Sequence, residues 1–242
     1  MNYLRSSVSV DFTLPREKHL TTPFFAPLVG SCLLCGNDSD SSAICNACAA
    51  ELPCIPEQHC PRCNIPTPLG EICGGCLASP PPFAKTTAAF HYTYPLDRLI
   101  QALKYSHRTA LANWFAIRLI SCIGETDIDV VLPMPLHPKR LQERGFNQSA
   151  EIARHLAHLL NKPLDRSTLL RTKSTQPQAG LRLKERAKNI RNAFECRDNV
   201  TGKHLLLVDD VMTSGATVRE ASRVLAIHGA ASIHVAVVAR AY

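Results

Sequence analysis

The stretch LLLVDDVMTSGAT, residues 205–217, constrains the fold more than any other part of the chain. Residues 205–208 are continuously apolar, the pattern of a strand buried on both faces. Asp209 and Asp210 follow at the carboxyl end of that strand, where open α/β sheets place their ligands. Thr213, Ser214, Gly215, Ala216 and Thr217 form a turn of small and hydroxyl residues. Residues 218–228 then predict a helix, with Val218, Ala221, Ser222, Leu225 and Ala226 on one face and Gly229 as its stop. The turn therefore lies at a helix N-terminus, where backbone N–H groups, hydroxyls and the helix dipole together favour a phosphate. The two carboxylates only accept hydrogen bonds when ionised, which suits a pair of ribose hydroxyls. A Walker B strand has a similar appearance, but it needs a G-x-x-x-x-G-K-[ST] loop elsewhere, and the chain has none.

The second strong pattern is a repeat. Cys32-x2-Cys35, nine residues and Cys45-x2-Cys48 recur 28 residues later as Cys60-x2-Cys63, nine residues and Cys73-x2-Cys76. Each pair sets two thiolates on one knuckle, and two knuckles complete a tetrahedral four-cysteine site. Gly36, Gly70, Gly74 and Gly75 suit the tight turns around such knuckles. Large apolar residues are few between positions 32 and 76, so metal replaces the missing core. The pattern predicts two structural Zn2+ ions in compact ribbons. Sequential pairing, one ion per repeat, is favoured; a cross-braced arrangement is the alternative. Four protein ligands leave no open position, which argues against a catalytic metal. Cys54, Cys122 and Cys196 fall outside the repeat and are read as buried or incidental.

The remaining segments fill in an α/β chain. Residues 79–82, Ser-Pro-Pro-Pro, form a stiff linker. Residues 83–94 read as extended. Leu96, Leu99, Ile100 and Leu103 have helical spacing and lead into Lys104-Tyr105; Lys104 either lies along the surface or reaches the phosphate site. A helix follows near residues 110–122 and a strand at 128–132, ending in Pro133-Met134-Pro135. A Pro-rich basic loop contains His137, Lys139, Arg140 and Arg144, and a helix with Ile152, Ala153, Leu156, Leu159 and Leu160 on its inner face runs to about residue 160. Residues 175–192 are polar and basic. Arg182 and Arg186 share one helical face at i, i+4, where paired guanidiniums clamp pyrophosphate or a nucleic-acid backbone. Residues 233–239 predict a closing strand.

Charge supports an anionic ligand. Residues 137–191 carry 13 Lys and Arg against 4 Asp and Glu, an excess larger than the +7 of the whole chain. Stacking residues for a single strand are sparse: Trp114 is the only tryptophan, and Phe146 is the only aromatic within the basic stretch. No apolar run has the length of a membrane span. Residues 1–22 lack the apolar core of a signal peptide, and eleven cysteines without an export signal favour metal ligation over disulfides, so a cytoplasmic location is expected.

The strand, acid pair and hydroxyl loop at 205–217 resemble the phosphoribosyl pyrophosphate (PRPP) motif of type I phosphoribosyltransferases. Pro133-x-Pro-Leu-His, Arg144-Gly145-Phe146-Asn147-Gln148, Leu103-Lys104-Tyr105 and the paired ribbons resemble the competence protein F family (ComF/GntX) over roughly residues 30–242. The resemblance implies an α/β fold with a type I phosphoribosyltransferase-like parallel sheet, helices on both faces, and a small N-terminal double zinc ribbon. The expected division is a poorly ordered leader at 1–29, the double ribbon at 30–79 and the phosphoribosyltransferase-like domain at 83–242. It further implies that Asp209 and Asp210 hold the ribose 2′ and 3′ hydroxyls, that residues 213–217 hold the 5′-phosphate, and that residues 175–192 form a mobile loop and helix over the site. Lys139, Arg140, Arg144, Arg182 and Arg186 are the candidates for pyrophosphate or another polyanion, and Mg2+ is expected to accompany PRPP. No catalytic residue stands out, and no acceptor pocket is recognisable. Two functions stay open at this point. One is a protein of DNA uptake or DNA utilisation whose partners are PRPP or a related ligand, single-stranded DNA, and a DNA-uptake helicase or other competence protein. The other is a phosphoribosyltransferase of nucleobase salvage.

Overall fold

In the computed structural model, residues 30–39, 43–106, 108–174 and 189–242 are described. The expected leader and the Arg182/Arg186 pair lie outside them.

Four strands form a parallel sheet: β3 (Lys85–His91), β4 (Val130–Pro133), β7 (His204–Met212) and β8 (Ser232–Arg240), in the order β3-β8-β7-β4. β7 is interior, as its unbroken apolar run requires, with Leu206 opposite His234 and Leu207 opposite both Leu132 and Val235. The last strand, β8, does not close an edge. It inserts between β3 and β7, and its burial on both faces explains its continuous Val/Ala run.

One face of the sheet is covered by α3 (Leu96–Tyr105), α4 (Ala110–Ile123) and α6 (Gln148–Leu160). Leu99, Leu103, Phe115, Leu119, Ile152 and Leu156 pack there on Val131, Leu206, Val208 and Val238. The other face carries α7 (Ala216–Ile227) and a short antiparallel pair, β5 (Leu169–Arg171) with β6 (Phe194–Cys196), where Leu132, Leu205, Leu207, Val218 and Leu225 meet Phe194 and Val237. Fully burying each large side chain of this kind contributes roughly 1.5–3 kcal/mol.

Residues 138–144 depart from the expected loop and form a short helix, α5 (Pro138–Arg144). Pro138 occupies the first helical turn, the His137 ring nitrogen Nδ1 accepts the Lys139 N–H at 3.2 Å, and Gly145 ends the helix in the left-handed region at φ 79°.

The N-terminal region is a pair of ribbons, each of two knuckles and each ending in a short helix. β1 (Gly30–Ser31) and β2 (Asp38–Ser39) flank the first knuckle, α1 (Asn46–Ala50) completes the first ribbon and α2 (Gly74–Ala78) the second. The 28-residue repeat holds in three dimensions. Gly36 N–H donates to the Cys32 carbonyl at 2.9 Å and Asn64 N–H to the Cys60 carbonyl at 2.9 Å, and both residues have positive φ (76° and 60°). Asparagine replaces glycine at the second site because it tolerates the left-handed region.

The ribbons do not hang from the sheet by the linker alone. Cys32, Ile44 and Leu52 join the core on the α3/α4/α6 face, whereas Cys60, Cys63 and Cys76 join the core on the α7 face through Phe83.

Candidate functional site

The eight repeat cysteines gather into two groups, Cys32/Cys35/Cys45/Cys48 and Cys60/Cys63/Cys73/Cys76, with the sulfurs of each group all within 4.8 Å of one another. Pairing is thus sequential. Cys35 Sγ lies 3.8 Å from Cys45 Sγ, and Cys63 Sγ lies 3.6 Å from Cys73 Sγ. A tetrahedron with Zn–S bonds of about 2.3 Å has sulfurs about 3.8 Å apart, so both groups fit Zn2+ with four closed ligands. Backbone donors prepare one thiolate in each. Burial pushes Cys32 and Cys60 up, but N–H groups from the opposite knuckle and their own outweigh it and bring them down to about 6 and about 7. Among the other cysteines, Cys196 is buried as expected, while Cys54 and Cys122 are exposed.

The second site is built at the carboxyl ends of β4 and β7. Asp209 and Asp210 lie within the last turns of β7, which runs on to Met212, rather than after it. Asp209 Oδ1 accepts from Ser149 Oγ at 2.9 Å and from the Asp210 N–H at 2.9 Å. Asp210 Oδ2 accepts from Gln148 Nε2 at 3.1 Å and from Lys104 Nζ at 2.6 Å, and Asp210 Oδ1 accepts the Val211 N–H at 2.7 Å. Lys104 therefore reaches the site. Burial opposes its charge, yet Asp210 and Asp209 hold its pKa above the usual lysine value. Burial, reinforced by the Asp210 charge, pushes the Asp209 carboxyl up to about 7 against the Asp210 N–H, Ser149 and Lys104.

The motif Arg144-Gly145-Phe146-Asn147-Gln148 explains how those donors arrive. Gly145 turns the chain out of α5, and Asn147 caps α6 by accepting the Ser149 and Ala150 N–H groups while its Nδ2 donates to the Met134 carbonyl at 3.0 Å. The first turn of α6 is thereby pinned to the end of β4, and Gln148 and Ser149, both buried, face the acids of β7. Arg144 Nη1 donates back to Gln148 Oε1 at 2.5 Å.

A cavity of about 380 Å³ opens over this network, lined by the acid pair, Thr213 and Thr217, and the cations Lys104, Arg140, Arg144 and Arg171. Gly215 caps α7 with φ 74°, a left-handed conformation that side chains with a Cβ rarely adopt, so the position favours glycine; a Cβ there would meet only the flexible end of Met212, with Cε at 2.7 Å. Ser214 and Ala216 border a different groove, of about 870 Å³, beside Arg191, Arg219 and Arg223. Thus the loop is split between two concavities. Lys139 is exposed and absent from both linings.

Comparison with known proteins agrees with this geometry. Residues 144–241 match a phosphoribosyl transferase domain and residues 23–77 a double zinc ribbon domain. DNA utilization protein YhgH of Salmonella typhimurium is 34% identical over 219 residues, covering 85% of this chain and 95% of that protein. The chain belongs to the YhgH and competence protein F family. Competence protein F of Haemophilus influenzae is 29% identical over 83% of the chain and 91% of its own length, and competence protein ComFC of Bacillus subtilis is 27% identical over 78% and 80%. The family's fold, a phosphoribosyltransferase-like sheet with an N-terminal double zinc ribbon, is the one observed. Among the described residues no helix is long and apolar enough to cross a membrane.

Several site residues of this family member escape a sequence reading. Arg171 comes from the three-residue strand β5 and lies over the Phe194 ring, its guanidinium carbon 5.7 Å from the centroid; burial, and next the Arg140 charge, lower its pKa. Too short for a period of its own, β5 gives no local signal. Tyr92 and Tyr105 line the cavity as well, from sequence positions far from the basic stretch. The two aromatics that the sequence offered do not: Trp114 is buried and stacked on Phe90 at 5.8 Å, and Phe146 packs partly buried on the core.

Proposed function

We infer that this protein binds a 5-phosphoribosyl ligand, PRPP or a closely related sugar phosphate, and serves uptake of external DNA or its use as a nutrient from the cytoplasmic side. One observation carries the ligand: an acid pair at the end of a central parallel strand, together with Thr213 and Thr217 of the glycine-capped loop that follows it, faced by Lys104, Arg140, Arg144 and Arg171 across one cavity. The carboxylates accept from ribose hydroxyls, the loop N–H groups receive the 5′-phosphate, and the cations face the diphosphate. Asp209 and Asp210 offer the hard oxygen donors that Mg2+ prefers, so a ligand-borne Mg2+ fits beside them and neutralises diphosphate charge when bound. The role in DNA use rests on the names of the relatives and on the basic excess of residues 137–191, which suits salt-dependent contact with a strand or a DNA-translocating partner. The two ribbons hold Zn2+ as structure.

Calorimetry with PRPP and Mg2+ tests the ligand. Asp209→Asn, Asp210→Asn and Gly215→Val should each weaken binding by about tenfold or more, the first two by removing acceptors and the third by straining the left-handed backbone that shapes the loop. Unchanged affinity in all three refutes the site. A deletion strain tests the role: loss of transformation or of growth on DNA is expected. A nucleobase requirement with normal DNA use would instead favour the salvage transferase.

A further inference from the structure

The cavity over the acid pair has an aromatic wall that phosphate and ribose do not need. Tyr105, the last residue of α3, lines it and is 69% exposed. The Arg144 guanidinium carbon lies 5.2 Å from its ring centroid and covers one face. The ring is fixed in register with the acids: Arg144 donates to Gln148, Gln148 donates to Asp210, and Lys104, the chain neighbour of Tyr105, is paired with the same Asp210 oxygen. The chain of contacts closes on itself through adjacent residues of α3. An exposed ring backed by a guanidinium and held at the rim of a sugar-phosphate cavity has the chemistry of a stacking platform, because a flat base adds its π face to the open side of the ring.

We propose that Tyr105 is a nucleobase-stacking platform, and that the ligand of the acid pair is a nucleoside 5′-phosphate whose base lies on the open face of this ring. The proposal rests on the phosphoribosyl reading above and deepens it. The ribose stays on Asp209 and Asp210, the phosphate on the loop, and the base extends along α3 toward solvent. Stacking reads no base edge, and Arg144, the guanidinium over the ring, already bonds to Gln148. Recognition is therefore tolerant of base identity. It also removes the earlier difficulty that aromatic residues are sparse: the platform is supplied by α3 and not by the basic stretch.

The test uses the full-length, zinc-loaded protein and titrates ribose 5-phosphate, AMP and a 5′-phosphorylated oligothymidylate by calorimetry at fixed salt. AMP should bind at least about fivefold more tightly than ribose 5-phosphate, the low end of what one stacked base contributes. Tyr105→Ala should erase most of that difference, and Tyr105→Phe and Tyr105→Trp should keep it. Because Trp114 is buried, the fluorescence of Tyr105→Trp should respond to AMP and not to ribose 5-phosphate. The oligonucleotide distinguishes sources: binding as tight as AMP points to a strand end, weaker binding to the free nucleotide, and either supports the platform. Equal affinity for AMP and ribose 5-phosphate, or an equal loss of both in Tyr105→Ala, overturns it while leaving the sugar-phosphate site standing. Binding of none of the three overturns both.

Discussion

Arg240 is the residue whose replacement best tests how the ribbons serve the cavity. It ends β8, is buried, and has no carboxylate partner among the described residues. Its Nε donates to the carbonyl of Cys63, a cysteine of the second cluster, at 2.9 Å. Its Nη1 donates to the Met212 carbonyl at 2.9 Å and also contacts the Thr213 and Ala241 carbonyls closely. One side chain thus ties a knuckle of the second cysteine cluster to Thr213, the first residue of the loop proposed to hold the phosphate. Burial lowers the pKa of Arg240, and the Cys63 sulfur opposes that shift; a four-thiolate zinc centre carries net negative charge and acts in the same sense. The Cys63 and Met212 carbonyls are two separate acceptors, and Met212 keeps the Ala241 N–H as a partner when Arg240 is replaced. At about 1.5–3 kcal/mol for each hydrogen bond to a charged group, less the desolvation cost that an apolar side chain no longer pays, Arg240→Met should lose about 3 kcal/mol. That leaves a folded protein if the starting stability is in the usual range of about 5–15 kcal/mol. Urea unfolding of the zinc-loaded protein measures the loss, and calorimetry with ribose 5-phosphate should show weaker binding, because the loop has lost its anchor. Arg240→Lys should rescue little, since an ammonium cannot span carbonyls on two sides. A loss under about 1 kcal/mol with unchanged ligand affinity would refute the strut.

The pH dependence follows from Asp209, whose carboxyl is raised from 3.8 to about 7. A group protonated more readily when folded adds its stability fully below the unfolded value and loses it as pH rises toward 7. Ligand affinity should move the opposite way, rising between about pH 6 and pH 8 as the acceptor ionises; Asp209→Asn should retain only the part due to the ligand phosphate, which itself titrates near pH 6. As for the metal, native mass spectrometry should find two zincs per chain, with Cys32→Ser and Cys60→Ser each removing one. Each loss should also lower stability, because both residues belong to the sheet cores; full zinc content in either variant would contradict the clusters.

What the sequence revealed and what it concealed divide along physical lines. β7, the acid pair, the glycine-capped loop and α7 are legible because each is written locally: an apolar run, a residue type that needs positive φ, and a 3.6-residue period. The thiol clusters are legible for the same reason, since their ligands fall at fixed short spacings and pair within a repeat. Lys104 was ambiguous because a lysine at a helix end has the same local signature whether it meets water or a carboxylate 106 residues away. Arg171, Tyr105 and Arg240 were not legible as site residues at all. Their partners are set by strand order and by the direction in which helices leave the sheet, and no window of sequence contains both members of such a pair.

The position of the ribbons changes what they can be for. A small metal module joined only by a proline linker would titrate and unfold independently of the sheet. Here the first ribbon contributes to the core on the α3/α4/α6 face, and the second to the core on the α7 face. Pro53 accepts the His91 N–H at the end of β3, and Arg62 Nη1 donates to the Ala84 carbonyl at its start. Both ends of an edge strand are therefore held by ribbon residues, Pro53 between the two clusters and Arg62 within a knuckle of the second, on the side of the sheet where β3 would otherwise present unpaired backbone groups. Covering an edge and anchoring a loop are structural tasks, and closed four-cysteine centres are suited to them because they add rigidity without an open coordination position. Zinc would act on the proposed ligand only through the frame that holds Met212 and Thr213 in place, and loss of the second centre should disturb the loop at 213–217 more than loss of the first.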